Sequence, residues 1–103
     1  MIRVGVYYPH QEGKKFDMKY YLEKHMTMVK QKVGPALKSV TVDAGLAGGA
    51  PGAPIAFVAV ANLTFDSVQA FQESFGAKAP EILGDVPNYT DIEPLVQISE
   101  VKM

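Results

Sequence analysis

The sequence predicts an α+β fold in which helices cover one face of an antiparallel sheet. Three observations support it: short stretches rich in β-branched and aromatic residues, two stretches with the apolar spacing of amphipathic helices, and the alternation of the two kinds along the chain. At 103 residues, the chain has the size of one globular domain with one hydrophobic core. We therefore expect a single domain over residues 1–103.

Four segments are predicted to form strands. Residues 2–8 are rich in valine, isoleucine and tyrosine, and a polar turn with proline and glycine follows them. Residues 37–46 alternate apolar and polar positions, and residues 55–63 are apolar at nearly every position. Residues 47–54 join these two strands as a loop, because their glycines and prolines favour turns. A last strand is predicted over residues 92–101.

Residues 16–34 have the spacing of an amphipathic helix. Asp17 is predicted to cap its start, and Gly34, which a proline follows, is predicted to end it. At about 100° per residue, the apolar side of this helix carries Met18, Tyr21, Leu22, His25, Val29 and Val33. The opposite side carries Tyr20, Lys24, Thr27 and Gln31. His25 is therefore expected to point inward.

A second, shorter helix is predicted to begin at Asp66, with Gln69 in the position of a capping box. Its inner face is predicted to carry Val68, Phe71 and Phe75. Residues 77–84 add one more helical turn. The predicted order is β-α-β-β-α-β, which is the ferredoxin-like arrangement of a four-stranded antiparallel sheet.

The third predicted strand is apolar on both faces, and this bears on assembly. Two helices cover only one face of a four-stranded sheet, so apolar residues on the other face need a second cover. A second copy of the sheet is the simplest cover, and closed two-fold dimers are the commonest oligomers. We expect a homodimer in which two sheets pack face to face.

Composition argues against several functional classes. The net charge of −1 provides no basic surface for nucleic acid or membranes. Because cysteine is absent, disulfides, thiolate metal sites and thiol nucleophiles are excluded. No segment has the roughly 20 apolar residues of a membrane span or the apolar region of a signal peptide. We expect a cytoplasmic protein whose partners are small molecules or proteins.

The chain has no motif for a nucleotide or a metal. Gly48, Gly49 and Gly52 precede a predicted strand, so the helix N-terminus that would bind phosphate is missing. Two histidines and no cysteine, without HExxH spacing, provide no metal signature. We therefore predict no metal site, and the cofactor is left unknown.

His25 is the leading candidate for chemistry. A neutral imidazole accepts a proton near its reference pKa of about 6.5, and a half-buried site can hold it against a substrate. The alternative interpretation is structural: His25 bonds a neighbouring hydroxyl or carbonyl group in a packed core.

Five further residues are candidates for the same site. Tyr21 and Asp85 join His25 as candidate catalytic residues, because Tyr21 lies one helical turn before it and a carboxylate can orient an imidazole. Candidate substrate-binding residues are Tyr8, Tyr89 and Phe57. The alternatives are that the aromatic residues only pack in the core and that Asp85 bonds backbone N–H groups of its turn.

Spaced residues along nearly the whole chain resemble the EthD family, which is named for ethyl tert-butyl ether degradation and belongs to the dimeric α/β-barrel superfamily. The residues that carry the resemblance are Tyr8-Pro9, Phe16-Asp17, Tyr20-Tyr21, His25, Phe65-Asp66-Ser67, Ala79-Pro80-Glu81-Ile82, the run from Gly84 to Thr90, Pro94, Gln97 and Glu100-Val101.

The resemblance implies a protomer whose sheet meets its twin to form a barrel, with a small pocket between sheet and helices. It also implies a role in the catabolism of ethers and other organic compounds, in a family described as oxidoreductases. Related branches include isomerases, monooxygenases and haem-binding enzymes, and a haem role would require His25 as the axial ligand.

Two functional hypotheses follow. The first is a small-molecule enzyme, of oxidoreductase type or independent of a cofactor, in which His25 acts on a small apolar or aromatic substrate. The second is a non-catalytic accessory or ligand-binding dimer that holds such a molecule in the same pocket.

Overall fold

The sheet consists of four antiparallel strands: β1 (Ile2–Pro9), β2 (Ser39–Ala44), β3 (Phe57–Phe65) and β4 (Leu95–Glu100). In this computed structural model, which describes all 103 residues, their order across the sheet is β2-β3-β1-β4. Each neighbouring pair is antiparallel. The predicted ferredoxin-like topology is therefore confirmed, with each strand within three residues of its predicted bounds.

Alternation along the central strands separates the two faces of the sheet. Val4 pairs with Leu63, and Tyr8 pairs with Ala59. All four side chains are buried against the helices. A slip of one residue would turn this whole apolar set to the other face, so burial fixes the register. A bulge after Tyr8 ends the regular pairing.

The opposite face of the sheet has no helix over it. One row across this face consists of Asp43, Val60, Tyr7 and Leu95, one residue from each strand. Leu95 is 57% exposed on the edge strand. The apolar members of this row are therefore less covered than their neighbours on the helical face.

The first helix follows β1 and a polar turn. It consists of three consecutive segments, which are α-helical Met18–Tyr20, π-helical Tyr21–His25 and α-helical Met26–Val33. The predicted cap is confirmed, because Asp17 Oδ1 accepts the backbone N–H of Tyr20 at 3.1 Å. Gly34, whose φ of 75° suits a residue without a side chain, ends the helix as predicted.

The π-helical segment changes which side chains face the sheet. Leu22, which was expected to face inward, is exposed, whereas Met26 is buried. The backbone N–H of Met26 donates to the carbonyl of Tyr21, five residues earlier, so this turn holds more residues than an α-helical turn. The prediction for Leu22 is wrong because it assumed 100° per residue throughout.

The second helix spans Val68–Phe75 and begins at a different cap from the predicted one. Ser67, rather than Asp66, caps it, because Ser67 Oγ accepts the backbone N–H of Ala70 at 3.1 Å. Both residue types are favourable caps, but Ser67 is the last residue with extended backbone before the helix. Val68, the first residue of the helix, is exposed rather than inward as predicted.

A third helix, Ala79–Gly84, leads toward β4, with a short 3-10 turn on either side of it, Gly76–Lys78 and Val86–Asn88. Residues 89 and 90, which follow the second 3-10 turn, are hydrogen-bonded to the segment just before the first helix. The backbone N–H of Asp17 donates to the carbonyl of Tyr89 at 2.8 Å, and Thr90 Oγ1 donates to the carbonyl of Lys15 at 2.5 Å. These bonds place residues 85–90 beside the π-helical segment.

No helix of the structure combines the length and the apolar character that crossing a membrane requires.

Candidate functional site

A cavity of about 210 Å³ lies between the helical face of the sheet and the helices. Its apolar walls include Val4, Val6 and Leu63 from the sheet and Val29, Phe71 and Ile82 from the helices. Leu83 and Val96, both more than half exposed, mark its mouth. Because a cavity of about 150 Å³ holds benzene, this one has room for a small substituted ring.

His25 lines the cavity from the π-helical segment and is held there by Asp85. His25 Nδ1 lies 2.9 Å from Asp85 Oδ2. The second oxygen, Oδ1, accepts the Tyr20 hydroxyl at 2.7 Å and the Asn88 side-chain amide at 2.9 Å. We call His25, Tyr20, Asp85 and Asn88 the carboxylate cluster. Its three donors fix the position of one carboxylate, which in turn orients the imidazole.

The electrostatics of the pair favour a neutral imidazole beside an ionised carboxylate. Desolvation lowers the pKa of His25 below its ordinary value and outweighs the opposing effect of Asp85. Desolvation raises the pKa of Asp85, but hydrogen bonds from Asn88, His25 and Tyr20 lower it by more, so the net shift is downward. At neutral pH, Asp85 accepts the proton on Nδ1.

This hydrogen bond leaves the lone pair of His25 on Nε2. Nε2 has no hydrogen-bond partner in the protein, yet it is not among the fully enclosed polar atoms. His25 is only 4% exposed and its side chain lines the cavity, so an occupant of the cavity would contact a ring whose Nε2 has no partner. The arrangement can therefore accept a proton from a bound molecule.

Beside His25, the cavity is lined by Tyr8, Tyr21 and Tyr89, which we call the tyrosine cluster. The hydroxyls of Tyr8 and Tyr89 lie 2.7 Å apart, and the hydroxyl of Tyr21 is buried without a partner. The rings of Tyr21 and Tyr89 lie 5.4 Å and 4.7 Å from the imidazole. Burial raises the pKa of all three phenols, so they stay protonated at neutral pH.

The structure brings five of the six predicted site residues together, and the sixth lies apart. His25, Tyr21, Asp85, Tyr8 and Tyr89 form the two clusters. Phe57 does not line the cavity; its ring lies 5.4 Å from that of Tyr7, next to the loop between β2 and β3. Tyr21 and His25 stack nearly parallel, with 13° between their planes, and do not share a hydrogen bond.

Two residues that hold the site were not predicted. Tyr20 was expected on the outer side of the helix, but its hydroxyl reaches Asp85. Asn88 also donates a hydrogen bond to Asp85. The one sequence feature that could have indicated this contact is that Asn88 lies three residues after Asp85 in a turn. Nothing in the local sequence indicates that Tyr20 would contact a residue 65 positions later.

The side chains present do not suit a metal or a haem. No group of three or more histidine, cysteine, aspartate or glutamate side chains lies close enough to hold an ion. A cavity of about 210 Å³ accommodates one small ring rather than a porphyrin of four pyrroles. The cavity therefore does not fit a haem with His25 as its axial ligand.

Comparison with known proteins gives a consistent result over nearly the whole chain. The EthD domain model matches residues 10–93. The crystal structure of an EthD-like protein from Ralstonia eutropha JMP134 is similar to this chain, with 50% identity and a TM-score of 0.94. That match covers 99% of this chain and 92% of the other. No curated protein matches the chain significantly.

Two further solved structures share the fold at lower identity. An ethyl tert-butyl ether degradation (EthD) family protein from Bacillus halodurans C-125 has 15% identity and a TM-score of 0.68, with 99% of each chain covered. An Arabidopsis thaliana protein has 14% identity and a TM-score of 0.65, with 100% of this chain and 97% of the other covered. Since the EthD domain match spans residues 10–93, the chain belongs to the EthD family.

Proposed function

We propose that this EthD-family protein is a small-molecule enzyme in which His25 acts as a general base on an apolar, single-ring substrate. The observation that carries the proposal is the 2.9 Å bond between His25 Nδ1 and Asp85, which leaves Nε2 free beside the cavity. Of the predicted types of chemistry, proton transfer is the one that an imidazole and a carboxylate supply by themselves.

The substrate must provide the reacting proton itself. A carboxylate and an imidazole are two members of a catalytic triad, but no serine or threonine hydroxyl is bonded to His25, and the chain has no cysteine. Nε2 therefore faces the bound molecule directly. A C–H or O–H group made acidic by a neighbouring carbonyl or ring is the kind of group that a neutral imidazole can deprotonate.

The cavity supports the size and polarity of this substrate. Its walls are hydrophobic at 14 of 16 positions. Apolar walls with a few polar groups at one end are typical of sites that bind and orient small organic molecules. An occupant that enters between Leu83 and Val96 would reach His25 only after losing most of its water, which strengthens its polar contacts inside.

The proposal is tested by proton exchange. Single-ring ketones and other single-ring compounds with an acidic C–H bond would be incubated with the protein in deuterated buffer, and deuterium incorporation at that carbon followed by NMR. We expect His25→Gln to lower the rate by about 10²- to 10⁴-fold, the usual contribution of a general base. The matched control is His10→Gln, at the exposed second histidine, which should leave the rate unchanged.

Exchange that is equally fast in His25→Gln, with melting curves showing both variants folded, would contradict the proposal. Failure of every compound in the panel to exchange would contradict it too. In either case, the non-catalytic ligand-binding function described below would remain as the candidate.

Asp85 is a positioning residue, and its variant has a signature that mere packing does not predict. Asp85→Asn should lower the rate by about 10- to 100-fold, because an amide can offer an N–H to Nδ1 and so favour the wrong tautomer. It should also move the acid limb of the pH–rate profile to lower pH, since the carboxylate raises the pKa of His25. An unchanged limb would exclude this positioning role.

A non-catalytic ligand-binding function is the second candidate. The nearly complete apolar lining favours it, because such a cavity can retain a hydrophobic molecule without transforming it. A single-ring compound that binds wild-type protein and His25→Gln equally well, and that neither protein exchanges, would support this function instead.

We also infer a homodimer built on the open face of the sheet. The row of Asp43, Val60, Tyr7 and Leu95 has no cover within the chain, and a second sheet would bury its apolar members. Sedimentation equilibrium should give twice the 11.2 kDa mass of the chain, and Val60→Asp should shift it toward one copy. A wild-type protein that sediments as one copy at micromolar concentration would refute the dimer.

A further inference from the structure

The tyrosine cluster contains more hydrogen-bond donors than the protein can satisfy. Tyr21 and Tyr89 are 0% exposed and Tyr8 is 2% exposed, so solvent does not complete their bonds. The single hydrogen bond among them joins Tyr8 and Tyr89, at 2.7 Å. The hydroxyl of Tyr21 is the one fully buried side-chain oxygen or nitrogen without any partner. Such a group is costly and needs an explanation.

Counting protons shows that rearranging the hydroxyls does not remove the surplus. Three phenols carry three protons, and the observed bond uses one of them. If Tyr21 also turned to Tyr8, two protons would be used and one would still lack an acceptor. The nearby carboxylate is not that acceptor, because the bonds of Asp85 go to the three donors of the carboxylate cluster.

The surplus donors stand next to an unused acceptor. The side chain of His25, whose Nε2 has no partner, lines the same cavity, and the rings of Tyr21 and Tyr89 are in contact with the imidazole. An occupant that satisfies both sides presents an oxygen to the tyrosines and an acidic proton to His25. A hydrocarbon would satisfy neither.

We propose that Tyr8, Tyr21 and Tyr89 form an oxyanion site when a ligand enters the cavity: the enclosed hydroxyl of Tyr21 shifts toward the ligand, and the hydroxyls bind the carbonyl oxygen of a small ketone substrate whose neighbouring C–H bond faces His25. This assignment rests on the proposed base role of His25 and names the substrate class for it: single-ring or similarly small ketones that can form an enol.

The step is balanced without any further reactant. His25 Nε2 takes the proton from the carbon next to the carbonyl, the C–H electron pair forms a carbon–carbon double bond, and the carbonyl π pair moves to the oxygen. The tyrosine hydroxyls donate to this developing enolate in a site without water, where such bonds are strongest. The imidazolium then returns the proton to the same carbon or to a conjugated one, giving exchange or isomerisation.

Two probes of similar size separate oxyanion binding from simple packing. The anion of 4-nitrophenol resembles the enolate, and toluene fills the same volume without accepting a hydrogen bond. Binding of each would be measured by calorimetry, at a pH where 4-nitrophenol is ionised in solution. We expect Tyr8→Phe and Tyr21→Phe each to weaken binding of the anion about tenfold, as for loss of one charge-assisted bond, and to leave toluene binding unchanged.

The control variant is Tyr7→Phe, which removes a hydroxyl on the opposite face of the sheet and should not affect either probe. Equal weakening of both probes in Tyr8→Phe and Tyr21→Phe would overturn the oxyanion site, because it would mean that the rings only fill space. Anion binding that is unaffected by both substitutions would overturn it as well.

His25→Gln distinguishes this inference from the proposed function. It should lower the rate of proton exchange by about 10²- to 10⁴-fold yet bind the preformed anion nearly as well as wild type, since no base is needed for binding. If the tyrosine variants behave as expected but no ketone exchanges, the oxyanion site is supported and the enzymatic role fails. If His25→Gln lowers the exchange rate as expected while the tyrosine variants bind the anion normally, the base role is supported and the oxyanion site fails.

Discussion

The two polar clusters beside the cavity differ in how completely the protein satisfies their hydrogen bonds. In the carboxylate cluster, Asp85 accepts three bonds of 2.7 to 2.9 Å, and every member contributes to holding it. In the tyrosine cluster, one hydrogen bond joins two of the three hydroxyls, and the third has no partner. Both clusters contact the same histidine ring, so their difference does not reflect distance from the site.

The difference shows which part of the site the protein completes for itself. A fully bonded carboxylate has one favoured position, and the imidazole that it holds is oriented before any ligand arrives. Buried hydroxyls without a partner lower stability. A ligand oxygen that accepted hydrogen bonds from them would offset this loss. Stability measurements on the two clusters should therefore respond in different ways.

The largest effect is expected at the centre of the carboxylate cluster. Asp85→Ala leaves the buried Nδ1–H of His25 without an acceptor, which should lower the free energy of unfolding by about 2 kcal/mol. Asp85→Asn should lose less, because its amide oxygen still accepts a bond. Urea unfolding measures both, with Glu12→Ala at an exposed turn residue as the control. Equal stability of Asp85→Ala and the control would show that the cluster does not hold the fold.

A smaller effect is expected from pH, through His25. The pKa of His25 lies below 6.5 in the folded protein and near 6.5 when unfolded, so on acidification the unfolded chain takes up a proton first. Stability should therefore fall as pH drops from about 6.5 toward the folded pKa, by at most about 1.4 kcal/mol per pH unit.

Denaturant unfolding at a series of pH values measures this slope. His25→Gln should lose the component that begins near pH 6.5, and His10→Gln should keep it. A further decline at lower pH is expected from Asp85, whose carboxylate contributes stability above its ordinary pKa of 3.8 and loses it as the folded group is protonated. The same slope near pH 6.5 in both histidine variants would place its origin elsewhere.

Most of the fold could be predicted because its causes are local. Strand alternation, the glycine-rich loop and the Asp17 cap depend on residues near one another in the chain. The errors arose where local rules offered more than one solution. Asp66 and Ser67 are both good caps, and Leu22 was placed by a helical period that the π turn does not follow.

The site was predictable in part for the same reason. An inward histidine one turn after a tyrosine is visible in the sequence, so His25 and Tyr21 could be named. The contacts of Tyr20 and Asn88 with Asp85 depend on how the third helix packs against the first, a long-range effect that no sequence window contains. Phe57 is the first residue of β3, and it pairs with Pro9 beyond the bulge that follows Tyr8.

The smallest expected effects have opposite signs within the tyrosine cluster. Tyr21→Phe removes a buried hydroxyl that has no partner, so the free energy of unfolding should rise by up to about 1 kcal/mol. Tyr8→Phe removes one partner of a buried hydrogen bond and leaves the Tyr89 hydroxyl unpaired. The free energy of unfolding of this variant should therefore fall by about 1 kcal/mol. Urea unfolding of the two variants, with Glu12→Ala at an exposed turn residue as the control, measures the difference. Losses of equal size in both variants would mean that the Tyr21 hydroxyl is satisfied in solution, and the contrast between the clusters would disappear.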